Sequence, residues 1–217
     1  MTEETTSATA NGRVFIVDDD PSVRKGLTRL LGSHGLDVEV FPCACEFLKV
    51  QSERPWPSCI LLDVKMPHMD GLELQQELDK RGFCMPIVFL TGHGDIPTSV
   101  QAIKGGAIDF LTKPVDEQDL LEAIRAALAE DEEQHTQQNE KEQVLACVRE
   151  LTAREHEVLK HVIAGRLNKQ IAQRLGIAEK TVKVHRGRVM EKMAADSVAD
   201  LVRLAEKAGI EPVTAGS

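Results

Sequence analysis

Short apolar runs alternate with helix-forming segments over the first 130 residues, and this alternation limits the folds open to the chain. Four runs are continuous, as strands are when both faces of a sheet are covered, and another alternates like an edge strand. The runs are VFIV (14–17), DVEVF (37–41), CILL (59–62), PIVFL (86–90) and AIDFL (107–111). The segments between them carry apolar residues with the period of a helix. Five repeats of strand and helix predict a five-stranded, parallel, doubly wound α/β sheet with helices on both faces.

The remainder of the chain shows helical patterns only, which predicts a second, all-α domain. An acidic segment rich in helix formers separates the two parts, and it fits a solvated helix or a flexible linker equally well. The predicted organisation is a disordered tail at 1–12, an α/β domain at 13–130, a linker at 131–149, a helical domain at 150–210 and a tail at 211–217.

Charge is divided unevenly between the two parts. The chain has a net charge of -9, but the segment from Arg149 to Glu211 holds 13 Lys and Arg against 9 Asp and Glu, a net +4 that leaves -13 elsewhere. An acidic front and a basic back indicate different partners, with nucleic acid for the basic part. Scattered cysteines and the absence of a membrane-length apolar run favour a cytoplasmic protein without a membrane partner.

Polar residues stand directly after four of the predicted strands. An Asp triplet starting with Asp18 and Asp19 follows the first strand, Asp63 follows the third, Thr91 ends the fourth, and Lys113 follows the fifth. Each alone is more commonly a turn residue or a helix cap. Parallel strands end at one edge of the sheet, so these side chains are expected to meet there. Clustered carboxylates favour a hard cation such as Mg²⁺, and the set predicts a phosphoryl-transfer site.

The basic part contains the layout of a helix-turn-helix from Asn168 to Gly187. Gly176 suits the left-handed turn, and Ala172 allows the two helices to approach closely. The residues facing away from the apolar set are mostly basic, namely Arg166, Lys169, Arg174, Lys180, Lys183, Arg186, Arg188 and Lys192. Such a one-sided surface suits duplex DNA, although a solvated charged face has the same composition.

The motifs VFIVDDDPSVR, LLDVKMPHMDG, LTGHGD and DFLTKP resemble those of two-component response-regulator receiver domains, which have a flavodoxin-like fold. The resemblance implies that Asp63 accepts a phosphoryl group from a sensor histidine kinase in bacteria. It implies that Asp18, Asp19, Asp63 and the backbone carbonyl of Lys65 hold Mg²⁺. Lys113 would contact the phosphoryl oxygens, and the bond from Lys113 to Pro114 would be cis.

The same resemblance implies a conformational switch. The Thr91 hydroxyl would move toward the phosphoryl group, and Phe110 would turn into the vacated space. Phe110 stands where the family commonly has tyrosine, and the chain contains no tyrosine. An ordinary core phenylalanine at this position is the alternative.

Residues 150–210 resemble the four-helix DNA-binding domain of the LuxR and NarL regulators, with TVKVH the most specific segment. The recognition helix would run from about 179 to 193. Lys183 and Val184 would reach base edges, and Lys169, Thr181, His185 and Arg188 would contact phosphate or sugar. Gly187 stands where some relatives have lysine. A last helix, from Ser197 to about Ala208, would carry a stripe of Val198, Leu201, Val202 and Ala205, which fits a dimer surface or a domain core.

The combined resemblance is to the NarL/FixJ family, especially its FixJ and StyR subgroup. It implies a transcription factor, not an enzyme acting on other substrates, that dimerises on phosphorylation, binds promoter DNA and contacts RNA polymerase. An aspartate-nucleophile phosphohydrolase is the first alternative, but its DxDxT pattern is absent after the first strand. The second is a DNA-binding adaptor that works without phosphorylation.

Overall fold

The computed structural model describes residues 12–49, 57–92 and 96–213. Most of the predicted tail at 1–12 and residues 214–217 lie outside this part of the chain. The strands are β1 (Arg13–Val17), β2 (Asp37–Phe41), β3 (Ser58–Leu62), β4 (Ile87–Thr91) and β5 (Asp109–Thr112). The helices between and after them are α1 (Pro21–Ser33), α2 (Ala44–Phe47), α3 (Gly71–Lys80), α4 (Ile96–Lys104) and α5 (Glu117–Arg149). Four more follow, α6 (Ala153–Ile163), α7 (Asn168–Leu175), α8 (Glu179–Lys192) and α9 (Val198–Lys207).

The five strands form one parallel sheet in the order β2-β1-β3-β4-β5, which confirms the predicted doubly wound fold. In the pairing of β1 with its neighbours, Val17 lies opposite both Phe41 and Leu62. The ends of β1 and β3 are therefore level. The residues that follow them, Asp18 and Asp63, are brought side by side by this register alone.

Each face of the sheet has its own apolar core. On one face, Phe15, Phe41 and Phe47 pack with ring centroids 5.3 to 6.1 Å apart. On the other, Ile16 and Leu61 pack against α1 and α5. Because side chains of a strand point alternately to the two faces, a strand covered on both sides must be apolar throughout. This explains the continuous runs of β1, β3 and β4; the expectation for AIDFL was wrong, because β5 lies at the edge of the sheet and is only partly buried.

Contacts between residues divide the chain into two compact units, Met1–Gln134 and His135–Ser217, and the boundary falls within α5. The acidic segment is helical from Glu117 to Arg149. Residues near both ends of the predicted linker at 131–149 pack into the two units and are not exposed to solvent as a linker would be. Asp131, the first residue of the predicted linker, is buried in the first unit and accepts a hydrogen bond from the Ser58 N–H at 2.9 Å.

The last turns of α5 belong to the core of the second unit. Val144 is buried there, and Cys147 and Val148 pack against the same cluster. The sequence VLACV has apolar residues at helical spacing, a short signal that the acidic composition before it obscured. The solvent-exposed part of the predicted linker at 131–149 is therefore shorter than the sequence suggested.

The second unit is all-α, as predicted. The side chains of its central residues are fully buried, among them Val158, Leu159, Ile171, Val182, Val189 and Leu201. A capping box begins α6, where the Glu155 N–H donates to the Thr152 hydroxyl and the Thr152 N–H donates to the Glu155 carboxylate. Such reciprocal hydrogen bonds satisfy two donors that a helix start would leave unpaired.

Candidate functional site

The candidate site of the first unit lies at the carboxyl edge of the sheet. Asp18 follows β1 and is buried, Asp63 follows β3 and is 9% exposed, and Thr91 ends β4 and is buried. Lys113 follows β5, and its N–H donates to the Thr91 carbonyl at 2.7 Å. The predicted cis bond between Lys113 and Pro114 is present. Four strand ends therefore converge as the sequence predicted.

Three carboxylates of this edge lie close together. One oxygen each of Asp18, Asp19 and Asp63 falls within 4.8 Å of the others. Among the residues that the structure describes, Oδ1 of Asp63 is buried and has no hydrogen-bond partner. A buried carboxylate oxygen without a partner is costly unless a cation or proton meets it. A site of oxygen ligands alone suits Mg²⁺, so the residues present fit that ion.

The electrostatics of the site raise the pKa of Asp63 above its usual range. Burial is the largest cause; the Lys113 ammonium lowers the pKa in part, and the Asp18 carboxylate raises it. Lys113 Nζ lies 2.6 Å from Oδ2 of Asp18 and 3.4 Å from Oδ2 of Asp63. One ammonium is thus shared between two acids, and the cluster has an excess of negative charge when all are ionised.

Asp20, the third aspartate of the triplet, has a structural role. Asp20 is the N-cap of α1, and its Oδ1 accepts the Ser22 N–H at 2.7 Å. Its own N–H donates to Oδ1 of Asp18 at 2.8 Å. Asp20 therefore starts the helix and orients Asp18, which is consistent with only two acids of the triplet joining the cluster.

Two residues that the sequence interpretation missed shape this site. The Arg24 guanidinium donates to the Asp18 backbone carbonyl at 2.6 Å and so fixes the turn after β1. Gly71 lies so close to the acceptor that a methyl group there would fall 2.3 Å from the Asp63 carbonyl oxygen. The signal for both was weak, an arginine one turn into α1 and a glycine at the start of α3.

The predicted switch residues lie on neighbouring strands. Phe110 on β5 is half-buried, and its ring packs against Phe89 of β4 with centroids 6.1 Å apart. Thr91 is two residues beyond Phe89 on β4. This packing fits both the predicted switch and an ordinary core phenylalanine. The exposed Lys65 lies in the β3–α3 loop two residues after Asp63, and the role of its carbonyl stays a prediction.

The candidate DNA interface of the second unit is formed by α7 and α8. Gly176 has φ 63°, the left-handed conformation predicted for the turn, and its N–H donates to the Ala172 carbonyl as α7 ends. Most residues predicted to contact DNA are exposed, namely Lys169, Thr181, Lys183, Val184 and Arg188. His185 is half-buried, and its Nδ1 has no hydrogen-bond partner within the described residues.

Several members of the expected basic surface are engaged within the domain, and Arg166, which donates to the His161 Nδ1 at 2.9 Å, is one of them. Arg186 donates to Oδ1 of Asn168 at 3.1 Å, which ties α8 to α7. Lys192 lies 2.7 Å from Oε2 of the buried Glu155 and donates to the Glu150 carbonyl at 2.9 Å. From the sequence, these cations were predicted to face outward, because a count of charges does not show which groups each cation contacts.

The apolar stripe on α9 belongs mainly to the domain core. Leu201 is fully buried in the cluster and Ala205 is also fully buried, whereas Val198 is 37% exposed and Val202 half-buried. Of the two interpretations left open for this stripe, the intradomain core accounts for its central residues. Only its flank is accessible to a second copy.

Comparison with known proteins agrees with the class that the fold and both sites indicate. Residues 14–125 match the family described as response regulator receiver domain, and residues 149–205 match bacterial regulatory proteins of the luxR family. The chain therefore belongs to the two-component response regulators that carry a LuxR-type DNA-binding domain. Such a regulator acts in transcription, and the resemblance stated from the motifs is confirmed.

Individual relatives match over nearly the whole chain. Nodulation protein W of Bradyrhizobium diazoefficiens is 47% identical over 206 residues, covering 94% of this chain and 90% of that protein. Transcriptional regulatory protein FixJ of Azorhizobium caulinodans is 44% identical over 201 residues, covering 92% and 94%. The solved structure of response regulator StyR has a TM-score of 0.80 and 48% identity, covering 90% of this chain and 98% of that chain. None of the helices in the described ranges is long and apolar enough to cross a membrane.

Proposed function

We propose that Asp63 accepts a phosphoryl group from a sensor histidine kinase and that this modification controls dimerisation and promoter binding. The observation that carries the proposal is the buried, unpartnered Oδ1 of Asp63 within a cluster of acids beside Lys113. In the transfer, a bond forms between an Asp63 oxygen and phosphorus. The bond from phosphorus to the kinase histidine nitrogen breaks, and that nitrogen keeps the electron pair.

Asp18, Asp19 and Asp63, with the Lys65 carbonyl, would hold Mg²⁺ in this site. The bound ion would supply positive charge to the phosphoryl oxygens. Lys113 would contact the phosphoryl oxygens, and the Thr91 hydroxyl would donate to one of them. Because only this chain's own aspartate is modified, we propose a phosphorylated regulator and not an enzyme that acts on other substrates.

The proposed dimer uses an apolar stripe on α4. Ile96, Val100 and Ile103 are spaced at helical intervals, and they are 81%, 45% and 48% exposed. The stripe lies on the helix that follows Thr91 and contacts β5, which carries Phe110. A rearrangement of the switch residues would reach this surface through the packing of α4 on β5. A second copy of the chain offers a matching apolar stripe, as a two-fold interface requires.

In the DNA-bound state, α8 enters the major groove. Val184 and Lys183 face base edges, and Lys169, Thr181 and Arg188 contact phosphate or sugar. His185 serves as a contact only if its half-buried ring turns outward. Bound at a promoter, the dimer contacts RNA polymerase. The support for the DNA contacts is the exposure of these residues on one surface of a helix-turn-helix. The polymerase contact follows from the family resemblance alone.

The test is treatment of the full chain with acetyl phosphate and Mg²⁺, alongside Asp63→Asn. We expect one added phosphate mass, a shift to dimer in sedimentation, and stronger footprints on promoter DNA. None of these changes should occur in the variant. An added phosphate on Asp63→Asn would place the acceptor elsewhere. Phosphorylation that changes neither oligomeric state nor DNA affinity would contradict the proposed control.

A further inference from the structure

Gly187, like Gly26 of α1, is an exposed glycine inside a helix. It lies in the interior of α8, exposed, and it is absent from the residues with positive φ. Glycine in a helix interior weakens the helix relative to alanine by about fivefold in the folding equilibrium. Helix formation therefore does not favour glycine at this position, and any effect of the missing side chain concerns the surface of α8.

The fold of the domain gives no such reason. Within the part of the chain that the structure describes, a methyl group at Gly187 would meet nothing within 4 Å beyond its own helix backbone and chain neighbours. Gly71, by contrast, is required by a close approach to Asp63, and Gly176 by its left-handed turn. The space that Gly187 leaves empty therefore faces outward.

The residues around Gly187 indicate what approaches this space. Val184, three residues earlier on the same side of α8, is an apolar residue that is 48% exposed. Lys183 and Arg188 beside this pair are exposed cations. An uncharged strip with cations at its edges matches the arrangement of a DNA duplex, in which phosphates flank the base edges of the major groove.

We propose that Gly187 is a specificity-determining residue. Its missing side chain lets α8 approach the base pairs closely, and the 5-methyl group of a thymine packs between Val184 and the Gly187 backbone. The major groove presents that methyl group only at thymine, so the contact selects A·T pairs at one step of each half-site. The inference rests on the proposed binding of promoter DNA by α8.

The test starts with selection of preferred sites from random duplexes by the full chain, with and without acetyl phosphate and Mg²⁺. At the selected thymine, deoxyuridine removes only the methyl group, and we expect about a fourfold loss of affinity. Gly187→Ala should bind the selected site at least tenfold more weakly and no longer distinguish thymine from deoxyuridine. Non-specific binding should stay at the level of the unaltered protein.

A second measurement separates DNA recognition from folding. Hydrogen exchange of peptides covering α8 should slow in Gly187→Ala, because alanine strengthens the helix. Gly26→Ala is the matched control, since Gly26 is exposed in the interior of α1 and a methyl group there also meets nothing within 4 Å. The control should slow exchange in α1 and leave DNA selection unchanged.

The outcomes distinguish this inference from the function on which it rests. If Gly187→Ala selects the same bases with undiminished affinity while the unaltered chain is specific, the inference alone is overturned. If the unaltered chain selects no sequence in either state, the proposed promoter binding fails and the inference fails with it. A weaker variant that exchanges faster in α8 would also overturn the inference, because a folding defect would then explain the loss.

Discussion

The ammonium of Lys113 lies 2.6 Å from Oδ2 of Asp18 and 3.4 Å from Oδ2 of Asp63. The shorter contact is with Asp18, which is proposed as a metal ligand only, and the longer one is with Asp63, the proposed phosphate acceptor. A phosphoryl group on Asp63 would attract the same ammonium. In the proposed function, Lys113 therefore exchanges a carboxylate for phosphoryl oxygens when the chain is modified.

This shared ion pair predicts how Lys113→Ala behaves. The substitution leaves Asp18 buried without its cation, and we expect a loss of about 1–3 kcal/mol in unfolding free energy in the presence of EDTA. Mg²⁺ should recover most of that loss, since it supplies positive charge to the same carboxylates. Urea unfolding with and without Mg²⁺ measures both effects. Lys25→Ala, on the exposed side of α1, is the control and should change little.

Asp63→Asn should stabilise the protein in EDTA at neutral pH. Because the folded-state pKa of Asp63 is raised, its ionised form costs stability above the pKa of the unfolded chain, about 4. The gain from the substitution should grow as pH rises from there and level off above the folded-state pKa. We expect the variant to be the more stable of the two near pH 7. Urea unfolding across this range is the measurement, and a variant less stable than the unaltered chain at pH 7 would contradict the raised pKa.

Gly71→Ala tests the close approach beneath the acceptor. The new methyl group would fall 2.3 Å from the Asp63 carbonyl oxygen and 3.0 Å from the Phe89 ring, so the loop must shift. We expect a loss of about 2–4 kcal/mol and little phosphorylation by acetyl phosphate. Unfolding and phosphate incorporation are measured together. Gly26→Ala, which lacks such a contact, should retain normal incorporation.

The lowered pKa of Glu155 predicts that the second unit loses stability in acid. The Lys192 ammonium and the Thr152 N–H lower the pKa of Glu155 from 4.5 to about 2. A lowered carboxyl pKa contributes stability that is present above 4.5 and is lost as pH falls toward 2. Glu155→Gln should cost about 1–3 kcal/mol at pH 7, and the difference should shrink over that acid range. Hydrogen exchange of α6 peptides at several pH values follows this unit; a difference independent of pH would count against the ion pair.

The salt dependence of DNA binding should separate surface cations from internal ones. Lys183 is exposed, whereas Lys192 is engaged by Glu155 and the Glu150 carbonyl. Lys183→Ala should reduce the slope of log affinity against log salt by about 0.9 if it contacts a phosphate, or weaken specific binding if it contacts a base. Lys192→Ala should leave the slope unchanged and lower stability. Binding titrations at several salt concentrations decide between these roles, and a reduced slope for Lys192→Ala would place it at the DNA.

The fold and the residues that form the acidic site could be predicted from the sequence, because both follow from local patterns and a general rule of topology. Continuous apolar runs mark covered strands, and parallel strands end at a common edge, so Asp18, Asp63, Thr91 and Lys113 had to converge. Periodicity and residue type contain that information. The helix-turn-helix was equally visible, because its turn requires a residue such as Gly176 with positive φ.

Partners, in contrast, were decided by the tertiary structure. A charge count cannot show that Lys192 and Arg186 are held inside the domain, nor that Lys113 favours Asp18, because those outcomes depend on distances of a few ångströms. An apolar stripe on a helix identifies a face that is covered without identifying what covers it, and for α9 the answer is its own domain. Sequence patterns determine which surfaces must be buried and which residues share an edge; the packing of elements distant in sequence determines which atoms meet.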